Sequence, residues 1–249
     1  MLQAQNLCLT VPGKALCADL SVTMRGGECW AILGQNGSGK TTLLHALSGL
    51  TNPAQGEVLL NGTPLNAFSR RALAQQIGVL LQEEDSAPFG TVQEYVSMGR
   101  FPHGNGNGGQ QAADKKITDA AITQMALQGL AQRQMRSLSG GERQRARIAM
   151  LLAQSPLVYC LDEPLLHLDV RHQIATMQWL RNLALNQQKI VLMVLHDPAW
   201  ASRYCDHVIL LYDEKNIVAG ASRDMLNRPA LEKLYQCSLD HLATDKDMA

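Results

Sequence analysis

A glycine-rich segment, Gly34–Thr41 (GQNGSGKT), matches the pattern G-x-x-x-x-G-K-[ST] in full. Its glycines allow a tight loop whose backbone N–H groups curl around phosphate oxygens, an approach that side chains would block. Lys40 adds a positive charge between the β- and γ-phosphates, and the Thr41 hydroxyl can ligate Mg²⁺. The pattern predicts a nucleotide phosphate site whose contacts are Gly34, Gln35, Asn36, Gly37, Ser38, Gly39, Lys40, Thr41 and Thr42.

Two adjacent carboxylates, Asp162 and Glu163, follow the apolar run Leu157–Leu161 (LVYCL). Adjacent residues on a strand point in opposite directions, but where the strand ends the chain turns and both side chains can face one crevice. Asp162 would then hold a metal ion through its water shell, and Glu163 would polarise an attacking water. The alternative is an acidic turn after a buried strand. The phosphate loop in the same chain favours the functional interpretation.

The segment Leu138–Glu142 (LSGGE) predicts the start of a helix. Ser139 is a favoured N-cap residue, and the glycines after it leave backbone N–H groups free to bind an anion. Taken alone this is an ordinary helix start, and its meaning depends on the motifs around it.

The elements that position these motifs alternate between short apolar runs and helical patterns, which favours a parallel sheet flanked by helices. The predicted strands cover residues 28–33, 157–161, 190–195, 208–212 and 217–219, and a helix is predicted over 41–50.

Between these strands the character of the chain changes. Helices are predicted over residues 112–130 and 141–152, and the glycine-rich residues 101–111 are predicted to form a flexible loop. We interpret this middle region as a helical lobe inserted into the sheet domain.

Composition excludes some classes of function. The 249 residues carry 22 Lys and Arg against 22 Asp and Glu, so the chain lacks the net positive charge that sequence-independent nucleic-acid binding needs. The longest apolar runs, such as residues 190–195, are far shorter than the roughly 20 residues of a bilayer span, and the N-terminus does not resemble a secretion signal. We therefore expect a cytosolic protein, or one held at a membrane by a partner.

The six cysteines show no C-x-x-C spacing, which favours reduced, buried thiols.

Taken together, the motifs resemble the nucleotide-binding subunit of ABC transporters. Ser139 follows Lys40 after 99 residues, and His196 follows Glu163 after 33 residues. Gln82 follows the run IGVLL, where the family has its Q-loop glutamine. His196, in VLMVLHD, matches the family's switch histidine at a strand end. The resemblance covers essentially the whole chain.

The resemblance implies the ABC ATPase fold, of class α/β. In that fold a single ABC ATPase domain would cover residues 1–249, and its RecA-like P-loop NTPase core, with a mixed sheet, would be formed by residues 1–83 and 153–249. An inserted α-helical subdomain over residues 84–152 would carry the LSGGE signature.

The resemblance also implies an ATPase that works as a dimer of two copies with two Mg-ATP sandwiched head to tail. Glu163 would act on water, His196 would stabilise the γ-phosphate, and Gln82 would touch metal and water. The implied metal contacts are Thr41, Gln82 and Asp162, and the implied nucleotide contacts across the dimer are Ser139, Gly140, Gly141 and Glu142.

Two positions depart from the family pattern. Only Val11 stands near the place where the family often stacks an aromatic ring on adenine, which predicts modest discrimination between ATP and GTP. Leu166 replaces a serine that would reach across the dimer. The histidines other than His196, including His167 and His172, are interpreted as structural or surface groups.

The stretch after Gln82 (EEDSAPFGTVQEYVSMGRFPHG) is similar to importers of large metal chelates, namely ferric siderophores, haem and cobalamin. It implies that integral-membrane permease subunits dock near residues 83–103, that a periplasmic binding protein is an indirect partner, and that the chain is peripheral to the cytoplasmic face of the inner membrane. For Glu94–His103 the alternative is a solvated helix and turn.

Other functions within the family stay open at this point. They are a soluble ABC ATPase of the DNA-repair or translation type, and the ATPase of an importer or exporter for another substrate. The first usually carries a coiled-coil insertion or a second cassette, and this sequence has no heptad run.

Overall fold

Two β-sheets and the helices around them form the framework of the protein. The computed structural model describes residues 1–11, 14–82, 89–104, 108–212 and 216–238. In chain order the strands are β1 (Leu2–Val11), β2 (Lys14–Met24), β3 (Cys29–Gly34), β4 (Gln55–Leu60), β5 (Thr63–Pro64), β6 (Ile77–Leu80), β7 (Val158–Asp162), β8 (Ile190–Val194), β9 (His207–Leu211) and β10 (Ile217–Ala221). The α-helices are α1 (Lys40–Leu47), α2 (Arg70–Gln76), α3 (Val92–Ser97), α4 (Gly108–Gln124), α5 (Gly140–Gln154), α6 (Val170–Gln187), α7 (Pro198–Tyr204), α8 (Ser222–Met225) and α9 (Arg228–Tyr235).

The larger sheet has the strand order β10-β9-β3-β8-β7-β6. Its strands pair in parallel except β10, which runs antiparallel to β9, so the sheet is mixed. Strands β3, β7 and β8 are buried along their whole length, which explains their continuous apolar runs. The α/β class and the mixed sheet of the predicted fold are confirmed.

A second, antiparallel sheet has the order β2-β1-β4-β5 and was not predicted from the sequence. Strand β1 buries Leu2, Ala4, Leu7 and Leu9, so its alternation is interrupted after Ala4. The interruption is a register shift at Asn6, whose φ of 48° is left-handed. A bulge of this kind hides the strand periodicity in the sequence.

The middle region is helical, but two predicted boundaries are wrong. The predicted loop over 101–111 is partly helical: a 3-10 segment covers Met98–His103 and α4 begins at Gly108, while residues 105–107 lie outside the described part of the chain. Long-range contacts hold the 3-10 segment, because Arg100 pairs with Asp114 at 2.8 Å. The helix predicted to run to residue 130 ends at Gln124, where Ala126 turns left-handed.

Two hydrophobic cores lie on opposite faces of the larger sheet. Ala31 and Leu33 of β3 pack in the core that includes residues of α5 and α6, whereas Trp30 and Ile32 pack in the core that includes α1 and the antiparallel sheet. Cys160 is fully buried, and burial raises the pKa of its thiol to about 12. This thiol stays protonated at neutral pH. Cys29 and Cys205 are buried as well, whereas Cys237 is exposed, so the prediction of buried thiols is wrong at that position.

Among the residues that the structure describes, no helix combines the length and the hydrophobicity needed to span a membrane.

Candidate active site

The phosphate loop connects the end of β3 to the start of α1. Gly39 is the N-cap residue of α1, and its φ of 98° is a left-handed conformation that other residues rarely adopt. The Lys40 side chain is buried, and its ammonium group donates to the backbone oxygens of Gly34 at 3.0 Å and Gln35 at 2.9 Å. The lysine is therefore held against the loop rather than extended into solvent.

A cavity of about 340 Å³ opens beside this loop. Its lining residues are Asn36, Gly37, Gly39, Lys40, Thr41, Thr42, Gln82, Glu163 and His196. Four segments that are distant in the sequence thus meet at one place, and each supplies a residue predicted to act on nucleotide. Gly34, Gln35 and Ser38 belong to the same loop but do not line the cavity.

The two carboxylates at the end of β7 occupy different environments. Asp162 is the last residue of the strand and is only 1% exposed. Glu163 has a left-handed φ of 49°, so the chain turns at once after Asp162. This turn is the physical reason why Glu163 lines the cavity directly after a residue that is fully buried in the strand.

Asp162 carries an unsatisfied charge. Burial raises its pKa, and the nearby carboxylate of Glu163 raises it further, while the Thr41 hydroxyl lowers it. The Thr41 hydroxyl is near enough to affect the pKa, but neither it nor any other donor among the described residues reaches a carboxylate oxygen with ordinary hydrogen-bond geometry. A buried carboxylate without donors is costly, and a hydrated divalent cation supplies both charge and donors. The residues at this position therefore fit Mg²⁺.

The same buried environment affects the pKa of Lys40. Burial lowers the pKa of its ammonium group, although the carboxylates of Glu163 and Asp162 act in the opposite direction. A bound phosphate would place further negative charge beside this buried cation and would favour its charged form.

His196 lies at the edge of the cavity, directly against Glu163. Its Nε2 atom is 2.6 Å from Oε1 of Glu163, with the histidine side chain 51% exposed and the glutamate side chain 14% exposed. The backbone oxygen of His196 accepts a hydrogen bond from the Tyr235 hydroxyl at 3.1 Å. The imidazole and the backbone oxygen of His196 thus each contact a residue of another segment.

Two polar residues of α5 that the sequence analysis missed connect the Gln82 segment to the Glu163 turn. Arg147 donates to the backbone oxygen of Leu81 at 2.5 Å and to that of Gln82 at 3.3 Å. It also donates to the side-chain oxygen of Gln144, 3.0 Å away. The buried Gln144 amide in turn donates to the backbone oxygens of Glu163 at 3.3 Å and of its neighbour Pro164 at 3.2 Å. The sequence signal that could have identified Arg147 and Gln144 is their position on α5, the helix that follows the LSGGE motif.

Ser139 caps α5, as the sequence predicted. Its hydroxyl accepts from the backbone N–H of Glu142, and the Glu142 carboxylate accepts from the backbone N–H of Ser139, which is a capping box. The hydrogen bond from the Ser139 backbone lowers the pKa of Glu142. The Glu142 side chain is therefore engaged within its own helix end.

The signature residues line a second cavity, of about 540 Å³. Its lining residues are Ser139, Gly140, Gly141, Glu142, Arg145, His167, Leu168, Asp169 and His172. Over the described ranges it shares no lining residue with the cavity of Lys40. The structure therefore does not bring the signature to the phosphate loop of the same chain.

His167 and His172 line this second cavity, and their interpretation as structural or surface groups stays a prediction. A Cβ atom on Gly141 would lie 2.8 Å from the backbone oxygen of His167, which explains the need for glycine there. Asp169 caps α6 and lies 2.9 Å from Nδ1 of His172. Leu166 is partly exposed beside them.

Val11 ends β1, and its side chain lies outside the described part of the structure, so the predicted weak grip on adenine stays a prediction.

Comparison with known proteins agrees with this geometry. Residues 17–166 match the ABC transporter family. The chain belongs to the ABC transporter family. It is 41% identical over 242 residues to the hemin import ATP-binding protein HmuV of Escherichia coli O157:H7, a match that covers 94% of this chain and 92% of the relative. It is 34% identical over 232 residues to the achromobactin transport ATP-binding protein CbrD of Dickeya dadantii (strain 3937), with 93% and 86% covered.

Solved structures of ABC proteins show the same fold. A metal-chelate type ABC transporter in an inward-facing conformation is 29% identical, with a TM-score of 0.79, and covers 94% of this chain and 88% of that one. A dimeric ATP-binding cassette in a post-hydrolysis state, bound to ADP and Pi, is 26% identical, with a TM-score of 0.78, and covers 90% of this chain and 99% of that one. The predicted ABC ATPase fold and ATPase class are confirmed for this ABC subunit.

Proposed function

We propose that this ABC ATPase hydrolyses ATP between two copies of itself and thereby powers the import of a metal chelate. The observation that carries the proposal is the division of the predicted site between two cavities. Lys40, Glu163 and His196 line one cavity, and Ser139 with its two glycines lines another.

In the first cavity each side chain has a separate task. Lys40 neutralises charge on the terminal phosphates, and Glu163 orients and polarises the attacking water. His196 donates to the γ-phosphate as negative charge develops there. The Gln82 side chain would contact the metal ion and the attacking water. Phosphoryl transfer depends on positioning and charge neutralisation more than on covalent chemistry, and these groups supply both.

Mg²⁺ is the proposed cofactor. The Thr41 hydroxyl, the Gln82 side chain and the buried carboxylate of Asp162 would hold it with its waters. When bound, it neutralises charge on the phosphate oxygens. The unpartnered oxygens of Asp162 support this assignment.

The second cavity completes the site of another copy. The backbone N–H groups of Gly140 and Gly141 at the start of α5 are available to an anion, and the helix dipole favours negative charge there. In a head-to-tail dimer, Ser139, Gly140 and Gly141 of one copy would close over the phosphates held by Lys40 of the other. The dimeric cassette with similar fold supports this arrangement.

The permease is proposed to dock on the segment around α3. Phe89 and Phe101 are 90% and 87% exposed, and Met98 is 54% exposed. Large exposed apolar side chains of this density favour a protein partner. They lie within the predicted docking region 83–103, of which residues 83–88 are outside the described chain. Docking there makes the subunit peripheral to the cytoplasmic face of the inner membrane, with a periplasmic binding protein as an indirect partner.

The cargo class is inferred from relatives. HmuV is named for hemin import and CbrD for achromobactin transport, and a similar structure is described as a metal-chelate type transporter. We propose that this subunit serves the same class of cargo.

Phosphate release from Mg-ATP by the purified chain tests the catalytic proposal. Lys40→Ala is expected to lower the rate by at least about 100-fold, because the lysine acts on the transferred phosphate. Lys115→Ala is the matched control, since Lys115 is exposed and forms an ion pair with Asp119 of the same helix. Equal rates for the Lys40→Ala and Lys115→Ala proteins would contradict the proposal. A deletion strain that still takes up haem, ferric siderophore and cobalamin normally would contradict the cargo class.

A further inference from the structure

Helix α9, the last helix among the residues that the structure describes, contacts two segments on the Lys40 side of the proposed ATP site, the phosphate loop and the His196 turn. It is eight residues long and is anchored by Leu234, which is 1% exposed in the core shared with α5 and α6. Asn227 is the N-cap residue of α9, and its side chain accepts from the backbone N–H of Ala230. This anchoring gives the C-terminal end of α9 a fixed position beside the phosphate loop.

The first contact joins α9 to the phosphate loop. The Gln35 side-chain amide donates to the backbone oxygen of Leu234 at 3.1 Å. Carbonyl groups in the last turn of a helix have no partner within the helix, so an outside donor is favourable there. Gln35, which does not line the cavity, thus uses its side chain to fix the phosphate loop to α9.

The second contact joins α9 to the His196 turn. The Tyr235 hydroxyl donates to the backbone oxygen of His196 at 3.1 Å. Burial raises the pKa of Tyr235 to about 12, and the nearby Asp197 raises it as well. The hydroxyl therefore keeps its proton, and its ability to donate, throughout the physiological range.

We propose that Tyr235 is a positioning residue for ATP hydrolysis, and that α9 ties the His196 turn to the phosphate loop. This inference rests on the proposed role of His196. Because the Tyr235 hydroxyl fixes the backbone of His196, the imidazole stays within reach of Glu163 and of the terminal phosphate. Gln35 holds the phosphate loop to the same helix end.

A matched control contacts the same helix from the residue that follows β9, Tyr212. The Tyr212 hydroxyl also contacts α9, at the backbone oxygen of Ala230 (3.5 Å), and the Lys233 ammonium group lies 5.1 Å from its ring centroid. Tyr212→Phe therefore removes a hydroxyl that touches α9 without touching the His196 turn.

The test compares kcat and KM for ATP in Tyr235→Phe and Tyr212→Phe. The Tyr235→Phe protein is expected to lose about fivefold in kcat with KM changed less than twofold, since one neutral hydrogen bond is worth about 1 kcal/mol. The Tyr212→Phe protein is expected to match wild type. In a His196→Ala background, Tyr235→Phe is expected to have no further effect, because the group it positions is gone.

Losses that add fully in the His196→Ala background would overturn the inference, since they would show that Tyr235 acts on general stability. A wild-type kcat in the Tyr235→Phe protein would overturn it too.

Gln35→Met tests the contact between the phosphate loop and α9, and its KM is expected to rise about threefold. An unchanged KM would show that this contact does not position the phosphate loop. If wild type itself released no phosphate, the proposed function would fail instead.

Discussion

Nε2 of His196 lies 2.6 Å from Oε1 of Glu163, although the two residues are 33 positions apart in the chain. The cause is the pairing of neighbouring parallel strands. Asp162 at the end of β7 is in register with Val194 at the end of β8. The residues that follow the two strands must therefore emerge at the same edge of the sheet.

Replacing Glu163 by glutamine is expected to separate binding from hydrolysis. The amide keeps the shape of the side chain but is a far weaker proton acceptor, so the rate is expected to fall by about 100-fold or more. ATP then stays bound, and size-exclusion chromatography with light scattering is expected to show a dimer in Mg-ATP. Adding Lys40→Ala to the same protein is the control and is expected to restore the monomer. A Glu163→Gln protein that stays monomeric at saturating Mg-ATP would contradict the sandwich.

Ser139→Arg is expected to stop turnover while one copy still binds nucleotide normally. The arginine would fill the second cavity and block its approach to the other copy's phosphates. Because Ser139 is also a helix cap, the matched control is Ser69→Arg, which removes the N-cap of α2. Fluorescent nucleotide binding and phosphate release are measured in parallel. If the Ser139→Arg protein loses binding as severely as turnover, the division of the site between two copies is wrong.

Gln144→Met is expected to lower the free energy of unfolding by about 1–3 kcal/mol, because the backbone oxygens of Glu163 and Pro164 lose their buried donor. Urea unfolding followed by circular dichroism measures the change. Gln124→Met, at the exposed end of α4, is the control and is expected to stay within about 0.5 kcal/mol of wild type. Equal stability of the two variants would show that the buried hydrogen bonds of Gln144 add nothing.

Asp206 is expected to make the protein sensitive to acid. Burial alone would raise its pKa, but the Arg181 guanidinium and the Cys29 backbone N–H more than offset this, and the pKa is lowered. The unfolded chain, with a pKa near 3.9, then binds the proton first as the pH falls. The stabilisation is complete above about pH 5, about one pH unit above the unfolded value, and is lost as the pH drops through the lower folded value.

Asp206→Asn tests this dependence. The variant is expected to lose about 1.5–3 kcal/mol of unfolding free energy at pH 7, where the charged hydrogen bonds are lost. It is also expected to show a flatter decline in unfolding free energy below pH 4 than wild type. Urea titrations at several pH values measure both effects, and parallel acid declines in the two proteins would exclude Asp206 as the source.

Continuous sequence patterns were sufficient to predict the site segments and the strands beneath them. A run such as Ile190–Val194 is buried on both faces, so its composition alone reveals it. Elements that depend on distant contacts were predicted poorly. The glycine-rich stretch at 101–111 carries a local coil signal, yet Arg100 and its ion pair with Asp114 hold part of it in a 3-10 segment.

By itself, the sequence determined which residues could act in chemistry: Lys40 in a glycine-rich loop, an acidic pair after a buried strand, a capped helix at Ser139, and a histidine at a strand end. Only the tertiary structure decided which of them meet, because the order of strands in the sheet sets which loop ends share an edge. It also showed that α9 reaches the His196 turn through Tyr235. A hydrogen bond between residues 39 positions apart leaves no periodic trace in the chain, since neither residue's local conformation depends on it.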